Sequence, residues 1–155
     1  MANNLESIFR LEFNKESELL DFDSEEITYN CAIQSIYKLD EDVYIYWNKE
    51  KIDISLKYDI GDSWADITGM LNNLKNENLK KFDMEWPSSS FFAYWEFTQI
   101  DKSNIKIETN WDYKTDKYII VPRKYFIKEW ERLINKIKKD LVKQGYDLKK
   151  LKNSG

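Results

Sequence analysis

The fold is easiest to infer near the C-terminus, where residues 123–144 read RKYFIKEWERLINKIKKDLVKQ. Apolar side chains recur there every three or four positions and share one helical face, while basic side chains share the opposite face. The apolar stripe comprises Phe126, Trp130, Leu133, Ile134, Ile137 and Leu141, and the basic stripe comprises Lys124, Lys128, Arg132, Lys136, Lys139 and Lys143. Pro122 suits the start of such a helix and Gly145 its end. The stretch predicts an amphipathic helix of about 22 residues that packs its apolar stripe on a sheet and turns its basic stripe to water.

Upstream of this helix, apolar and polar residues alternate in several runs, as they do in strands with one buried face. These runs cover residues 7–13, 27–37, 43–47, 52–60, 82–86 and 105–111. Two further strands are predicted over the aromatic run 91–100 and the short apolar run 118–121. Short turns between many of them favour antiparallel pairing. Residues 91–100 are aromatic on both faces, which predicts either a central place in the sheet or cover by a helix and a loop. The polar segment 14–26 is predicted to be a loop.

The period changes to helical after Gly61. Trp64, Ile67, Leu71 and Leu74 fall on one helical face, so we predict a short helix near 63–75, with Ser63 and Asp66 as a capping pair. Together these patterns predict an α+β fold: a mostly antiparallel sheet of about 7–8 strands, this short helix and the long C-terminal helix. The length fits one domain over residues 1–155, in which residues 146–155 form a flexible basic tail.

The charge of the chain is unevenly distributed. The net charge of −4 combines a balance of −12 over residues 1–112 with a balance of +8 over residues 113–155. Nucleic acid is attracted or repelled by the electrostatic field of the whole protein, and the negative charge of residues 1–112 opposes nucleic-acid binding. We therefore expect no nucleic-acid partner and interpret the basic helix face as solvated.

The residue inventory argues against most catalytic chemistry. The chain has no His, and Cys31 is its only cysteine and lies in an apolar run, so nucleophile–histidine pairs, histidine metal sites and thiolate clusters are excluded. No glycine-rich phosphate loop is present. We expect a protein that is not an enzyme and has no cofactor and no metal site. Glu85 and Glu96 leave open the alternative of a small carboxylate-dependent enzyme.

The sequence also bears on location. The N-terminus lacks the basic and apolar regions of a signal peptide, and no apolar run approaches the ~20 residues that span a bilayer. We expect a cytoplasmic protein without a membrane partner.

Acidic and tryptophan residues near the ends of predicted elements are the candidates for contact with a partner. Exposed tryptophan beside carboxylates would suit a surface that binds a basic protein, and core packing is the alternative for each tryptophan. The candidate residues are Asp59, Asp62 and Asp66 around the junction before the short helix, and Glu85, Trp86, Trp111 and Asp112 near strand ends. We hypothesise that they form one patch.

Two segments of this acidic, tryptophan-rich chain prompt a comparison with a known class: YDIGDSWAD at 58–66 and WPSSSFF at 86–92. In style, the chain resembles the immunity proteins of bacterial polymorphic-toxin and contact-dependent inhibition systems. The resemblance implies a non-catalytic module that binds and neutralises one cognate toxin domain, and a basic toxin domain would suit the acidic patch. The alternative is an adaptor or interaction domain with another protein partner.

Overall fold

The strands form two antiparallel sheets. The computed structural model describes residues 5–21, 25 and 27–153. A three-stranded sheet has the order β1-β2-β3, and a four-stranded sheet has the order β4-β5-β6-β7. The strands are β1 (Phe9–Phe13), β2 (Asp42–Trp47), β3 (Glu50–Ser55), β4 (Lys81–Trp86), β5 (Ala93–Gln99), β6 (Asn104–Thr109) and β7 (Tyr118–Pro122). The predicted α+β class with antiparallel pairing is confirmed, although the strands divide into two sheets. β5 is an inner strand, as its aromatic content predicts.

Four α-helices occur among the described residues: α1 (Leu5–Ile8), α2 (Tyr29–Ile36), α3 (Trp64–Lys75) and α4 (Arg123–Lys143). The predictions of α3 and α4 are confirmed. The strand predicted over 52–60 ends at Ser55, and a π-helical turn, Leu56–Ile60, leads towards α3. Because the chain enters α3 from this turn, Ser63 lacks the extended conformation of a capping residue, and its side chain makes no capping hydrogen bond. The predicted Ser63–Asp66 capping pair is therefore wrong.

Helix α2 occupies the segment that we predicted to be a strand over 27–37. Thr28 begins it, and its hydroxyl accepts a hydrogen bond from the Cys31 amide (3.3 Å). The buried residues Tyr29, Ala32, Ile33 and Ile36 follow the i, i+3, i+4, i+7 spacing of one helical face. Apolar residues also occupy alternate positions of this segment, so both periods fit, and the capping threonine favours the helix.

The core lies between the inner faces of the two sheets and helix α4. The Trp47 ring on β2 contacts Trp95 on β5, with ring centroids 5.6 Å apart, which joins the sheets. Trp130 of α4 lies 6.3 Å from Phe9 of the three-stranded sheet and 5.8 Å from Trp86 of the four-stranded sheet. The prediction that Trp130, Ile134 and Ile137 form the buried face of α4 is confirmed.

The basic stripe of α4 is only partly solvated. Lys124, Lys128, Lys139 and Lys143 are exposed, as predicted. Lys136 is buried beside Asp140, and Arg132 donates a hydrogen bond to the Leu11 carbonyl of the edge strand β1 (2.7 Å). The prediction that Lys136 points to water is wrong, because its burial is compensated by the Asp140 carboxylate. Arg132 is exposed as predicted, although its guanidinium also bonds to β1.

Side chains of α4 also cover the open edge of β1. Glu129 accepts a hydrogen bond from the Leu11 amide (2.9 Å), and the Tyr125 hydroxyl donates to the Phe9 carbonyl (2.8 Å). With Arg132 on the Leu11 carbonyl, three side chains replace part of a neighbouring strand. This cover removes main-chain groups that would otherwise pair with another chain.

The segment after α4 packs on the domain. We predicted a flexible tail over residues 146–155, yet Tyr146 is buried and its hydroxyl lies 2.9 Å from the Ser35 hydroxyl. Lys152 forms a parallel bridge with Thr28, with its amide donating to the Ile27 carbonyl (2.8 Å). Residues 146–153 are therefore folded, and residues 154–155 lie outside the described part. The predicted loop 14–26 has no helix or strand over 14–21, and residues 22–24 and 26 of this loop lie outside the described residues.

Candidate protein-binding surface

The two tryptophans predicted as partner contacts lie in the core. Trp86 is 0% exposed and Trp111 is 2% exposed. The Trp86 ring lies 5.2 Å from Trp95, and Trp111 lies 4.6 Å from Trp47. Trp86 and Met84 lie two positions apart on β4, so both side chains point to the buried face of the sheet. This alternation continues to the end of the strand. The prediction that these two tryptophans contact a partner is wrong.

Asp59 is also unavailable to a partner, because it is only 3% exposed. Its carboxylate accepts hydrogen bonds from the Ser55 amide (2.7 Å) and from the hydroxyls of Ser88 and Ser90 (2.5 Å each). These bonds fasten the segment after β4 to the π-helical turn. Asp59 is therefore a structural residue, and its prediction as a binding residue is wrong. Periodicity cannot identify such a role, since the two serine hydroxyls lie on a segment that is distant in the sequence.

The other four predicted carboxylates are exposed. Asp62 accepts a hydrogen bond from the Gln34 side chain of α2 (2.6 Å). Burial raises the pKa of Asp66, and the nearby charge of Glu85 raises it further, so these two carboxylates lie on one part of the surface. Asp112 lies in the loop between β6 and β7. That Asp62 and Asp112 share one patch with Asp66 and Glu85 stays a prediction.

A larger acidic surface exists on the outer side of the four-stranded sheet. Its carboxylates are Asp83, Glu85, Glu96 and Glu108, called the acidic face below. The strand register places Asp83 directly opposite Glu96, and Glu96 directly opposite Glu108. Like charges directly opposite each other across strands destabilise a sheet. Three carboxylates in one row are therefore unfavourable for folding alone.

The surroundings of this row confirm its negative field. The Tyr94 hydroxyl donates a hydrogen bond to Asp83 (2.8 Å), which raises the pKa of Tyr94, and burial and the neighbouring carboxylate charges raise it further. Two lysines share the outer side of the sheet, Lys81 and Lys106, and the Lys106 ammonium lies 4.0 Å from Glu108. Negative charge still exceeds positive charge on this side by two.

Apolar side chains border the acidic face. Tyr118 and Ile120 project from β7 on the same side as Glu108 and are exposed. Phe92, just before β5, is the most exposed large apolar side chain among the described residues, at 71%. Exposed aromatic side chains are enriched at protein interfaces. The alternation of the strands predicts that Glu96 and Glu108 point outward, but only the register shows that they oppose each other.

The outer side of this sheet is an open surface, so Glu85 and Glu96 do not face each other across a cleft. In the described ranges, no three His, Cys, Asp or Glu side chains are grouped as a metal site. No helix in that part of the chain is long and apolar enough to cross a membrane. Comparison with known proteins finds no matching family model, curated protein or solved structure.

Proposed function

We propose that this protein is a cytoplasmic, immunity-type inhibitor that binds a basic toxin domain through its acidic face. The observation that carries the proposal is the row of opposed carboxylates Asp83, Glu96 and Glu108 on an open side of the four-stranded sheet. Such a row lowers the stability of the free protein, and a partner's lysines and arginines would relieve the repulsion.

The acidic face also suits fast capture of a toxin. Toxins that act on nucleic acid need basic surfaces to hold phosphates, and an acidic inhibitor is attracted to those surfaces. Electrostatic steering raises association rates to about 10⁸–10⁹ M⁻¹s⁻¹ at low salt. Tyr118, Ile120 and Phe92 supply apolar contact area beside the charges, which slows dissociation.

The test pairs this chain with toxin domains encoded beside its gene. Wild-type protein should protect cells that express the cognate toxin domain, and association of the purified proteins should slow steeply between about 50 mM and about 200 mM salt. The variant Glu96→Lys/Glu108→Lys should lose protection. The control Glu50→Lys/Glu77→Lys changes the net charge equally at exposed positions outside the acidic face and should retain it.

Three outcomes would contradict the proposal. If the wild-type protein protects against none of the neighbouring toxin domains, the immunity role is wrong. If both double variants lose protection equally, overall charge matters and the acidic face is not the site. If association is indifferent to salt, steering is wrong.

A further inference from the structure

A pocket of about 450 Å³ lies between the segment that follows β1 and the C-terminal half of α4. Its volume falls within the range of small-molecule sites. The pocket is remote in sequence from the acidic face and does not share its residues. We call it the basic pocket, after five cationic residues that line it together with Phe13: Lys15, Arg132, Lys136, Lys139 and Lys143.

Positive charge is concentrated here against the trend of the chain. Five cationic side chains line the pocket with two carboxylates, Glu16 and Asp140, whereas the whole chain has a net charge of −4. Lys139 and Lys143 are one helical turn apart, and like charges at that spacing destabilise a helix. Neither forms a hydrogen bond or an ion pair with another described residue. Their ammonium groups are free to bind an anion.

The pocket has a fixed cation at its base. The Lys136 ammonium donates to the Asp140 carboxylate (2.6 Å) and to the Ser17 hydroxyl (2.7 Å). The Tyr37 hydroxyl donates to the same Asp140 oxygen (2.6 Å), which holds that carboxylate in place. An ammonium group has three N–H donors, so one remains for a further acceptor. A cation already ordered by the protein binds an anion without a further loss of side-chain freedom.

An aromatic ring completes the wall. The Arg132 guanidinium lies over the Phe13 ring, 5.1 Å from its centroid, while also donating to the Leu11 carbonyl and to Glu129. Arg132 is therefore held in place at the rim, where it adds positive charge. Several ammonium groups around an apolar wall suit a compact ligand that carries more than one negative charge.

We propose that the basic pocket binds a small phosphorylated molecule that carries at least two negative charges. Lys139 and Lys143 contact the phosphate oxygens at the mouth, and Lys136 contacts them at the base. The phosphate groups are the recognised element, and Phe13 offers a surface to an attached ring. The proposal does not depend on the toxin partner.

Calorimetric titration with three probes tests this site: inorganic pyrophosphate, ATP and adenosine. Wild-type protein should bind pyrophosphate and ATP, and more weakly at high salt. The variant Lys139→Gln/Lys143→Gln should weaken both by about tenfold or more, because it removes two charges from the mouth. The control Lys124→Gln/Lys128→Gln removes two exposed charges from the same helix outside the pocket and should change affinity less than about twofold.

The site is wrong if wild-type protein binds neither pyrophosphate nor ATP at millimolar concentration. It is also wrong if the two double variants weaken binding equally, since the effect would then reflect overall charge. Adenosine that binds as tightly as ATP would overturn recognition of phosphate. All four replaced lysines are exposed, so each variant should fold, which circular dichroism checks.

Discussion

The buried ion pair of Lys136 and Asp140 gives the sharpest stability prediction. The two side chains are only 7% and 9% exposed, and the ammonium lies 2.6 Å from the carboxylate. At that distance and an effective dielectric constant of about 20, the gross attraction is about 6 kcal/mol. The cost of removing both charges from water offsets much of it, so the intact pair adds little net stability. Removing one partner is different, because a buried charge is left uncompensated.

We predict that Lys136→Met lowers the free energy of unfolding by about 3–5 kcal/mol. The control Lys128→Met, at an exposed position on the same helix, should stay within about 0.5 kcal/mol of wild type. The triple variant Lys136→Met/Asp140→Leu/Tyr37→Phe removes both charges and the hydroxyl that donates to Asp140. It should recover most of the loss, because no buried polar group remains unpaired. Urea denaturation followed by tryptophan fluorescence measures each value.

The two methionine variants differ in whether the replaced ammonium is buried beside a carboxylate or exposed. If Lys136→Met is as stable as Lys128→Met, Lys136 is solvated and the reasoning is wrong.

Four further stability predictions follow from the structure. Glu96→Gln should raise Tm by about 1–4 °C, because it removes repulsion from both Asp83 and Glu108. The control Glu50→Gln should change Tm little. A lower Tm for Glu96→Gln would contradict the repulsion. Glu129→Ala should lower the free energy of unfolding, measured with urea, by about 1–3 kcal/mol, because the Leu11 amide loses its acceptor. Glu131→Ala breaks only an exposed pair with Lys75 and should lower it by less than about 1 kcal/mol. Equal losses would contradict the role of Glu129 at the edge of β1. Gly69→Ala should stabilise α3 by about 0.5–1 kcal/mol, since a Cβ there meets no atom within 4 Å. A Cβ at Gly61 would lie 3.1 Å from the Gln34 side chain, so Gly61→Ala should not stabilise the protein. Calorimetric Tm values that rank the two variants the other way would contradict this. Burial and the charge of Glu129 raise the pKa of Tyr125 to about 12 from about 10 in the unfolded chain, so the free energy of unfolding should fall between about pH 10 and about pH 12. Tyr125→Phe should make that fall shallower. The two proteins would contradict this if their free energies of unfolding, measured with urea, fell equally with pH.

The elements that the sequence predicts well are those whose burial follows one unambiguous period. The apolar stripe of helix α4 recurs at helical spacing over its length, and its six residues are buried as predicted. Helix α2 was missed because its eight residues fit both a helical and an alternating pattern. Lys136 was misplaced for another reason: its burial depends on Ser17, Tyr37 and Asp140, two of which come from distant segments. Such compensation cannot be seen in a helical wheel.

The candidate site shows the same limit. Alternation along β5 and β6 identifies Glu96 and Glu108 as outward residues, but which residues oppose each other depends on register. A slip of one residue would exchange the faces of a strand, and a slip of two would keep the face and separate the row. The register of β5 and β6 is fixed by the turn that joins them. There the Asp101 carboxylate accepts from the amides of Ser103 and Asn104 (2.8 and 2.9 Å).

Asp101 therefore acts on the proposed binding surface from a distance. Hydrogen bonds from the Asn104 side chain, and then from the backbone amides, lower the pKa of Asp101, which shows that the turn favours the ionised carboxylate. These hydrogen bonds stabilise the turn, and the register that it fixes is unfavourable at one point, because it brings Glu96 opposite Glu108. A strand pair free to slip would separate these carboxylates. A local device thus holds an unfavourable charge arrangement in place, which is expected where function, and not stability, selects the surface.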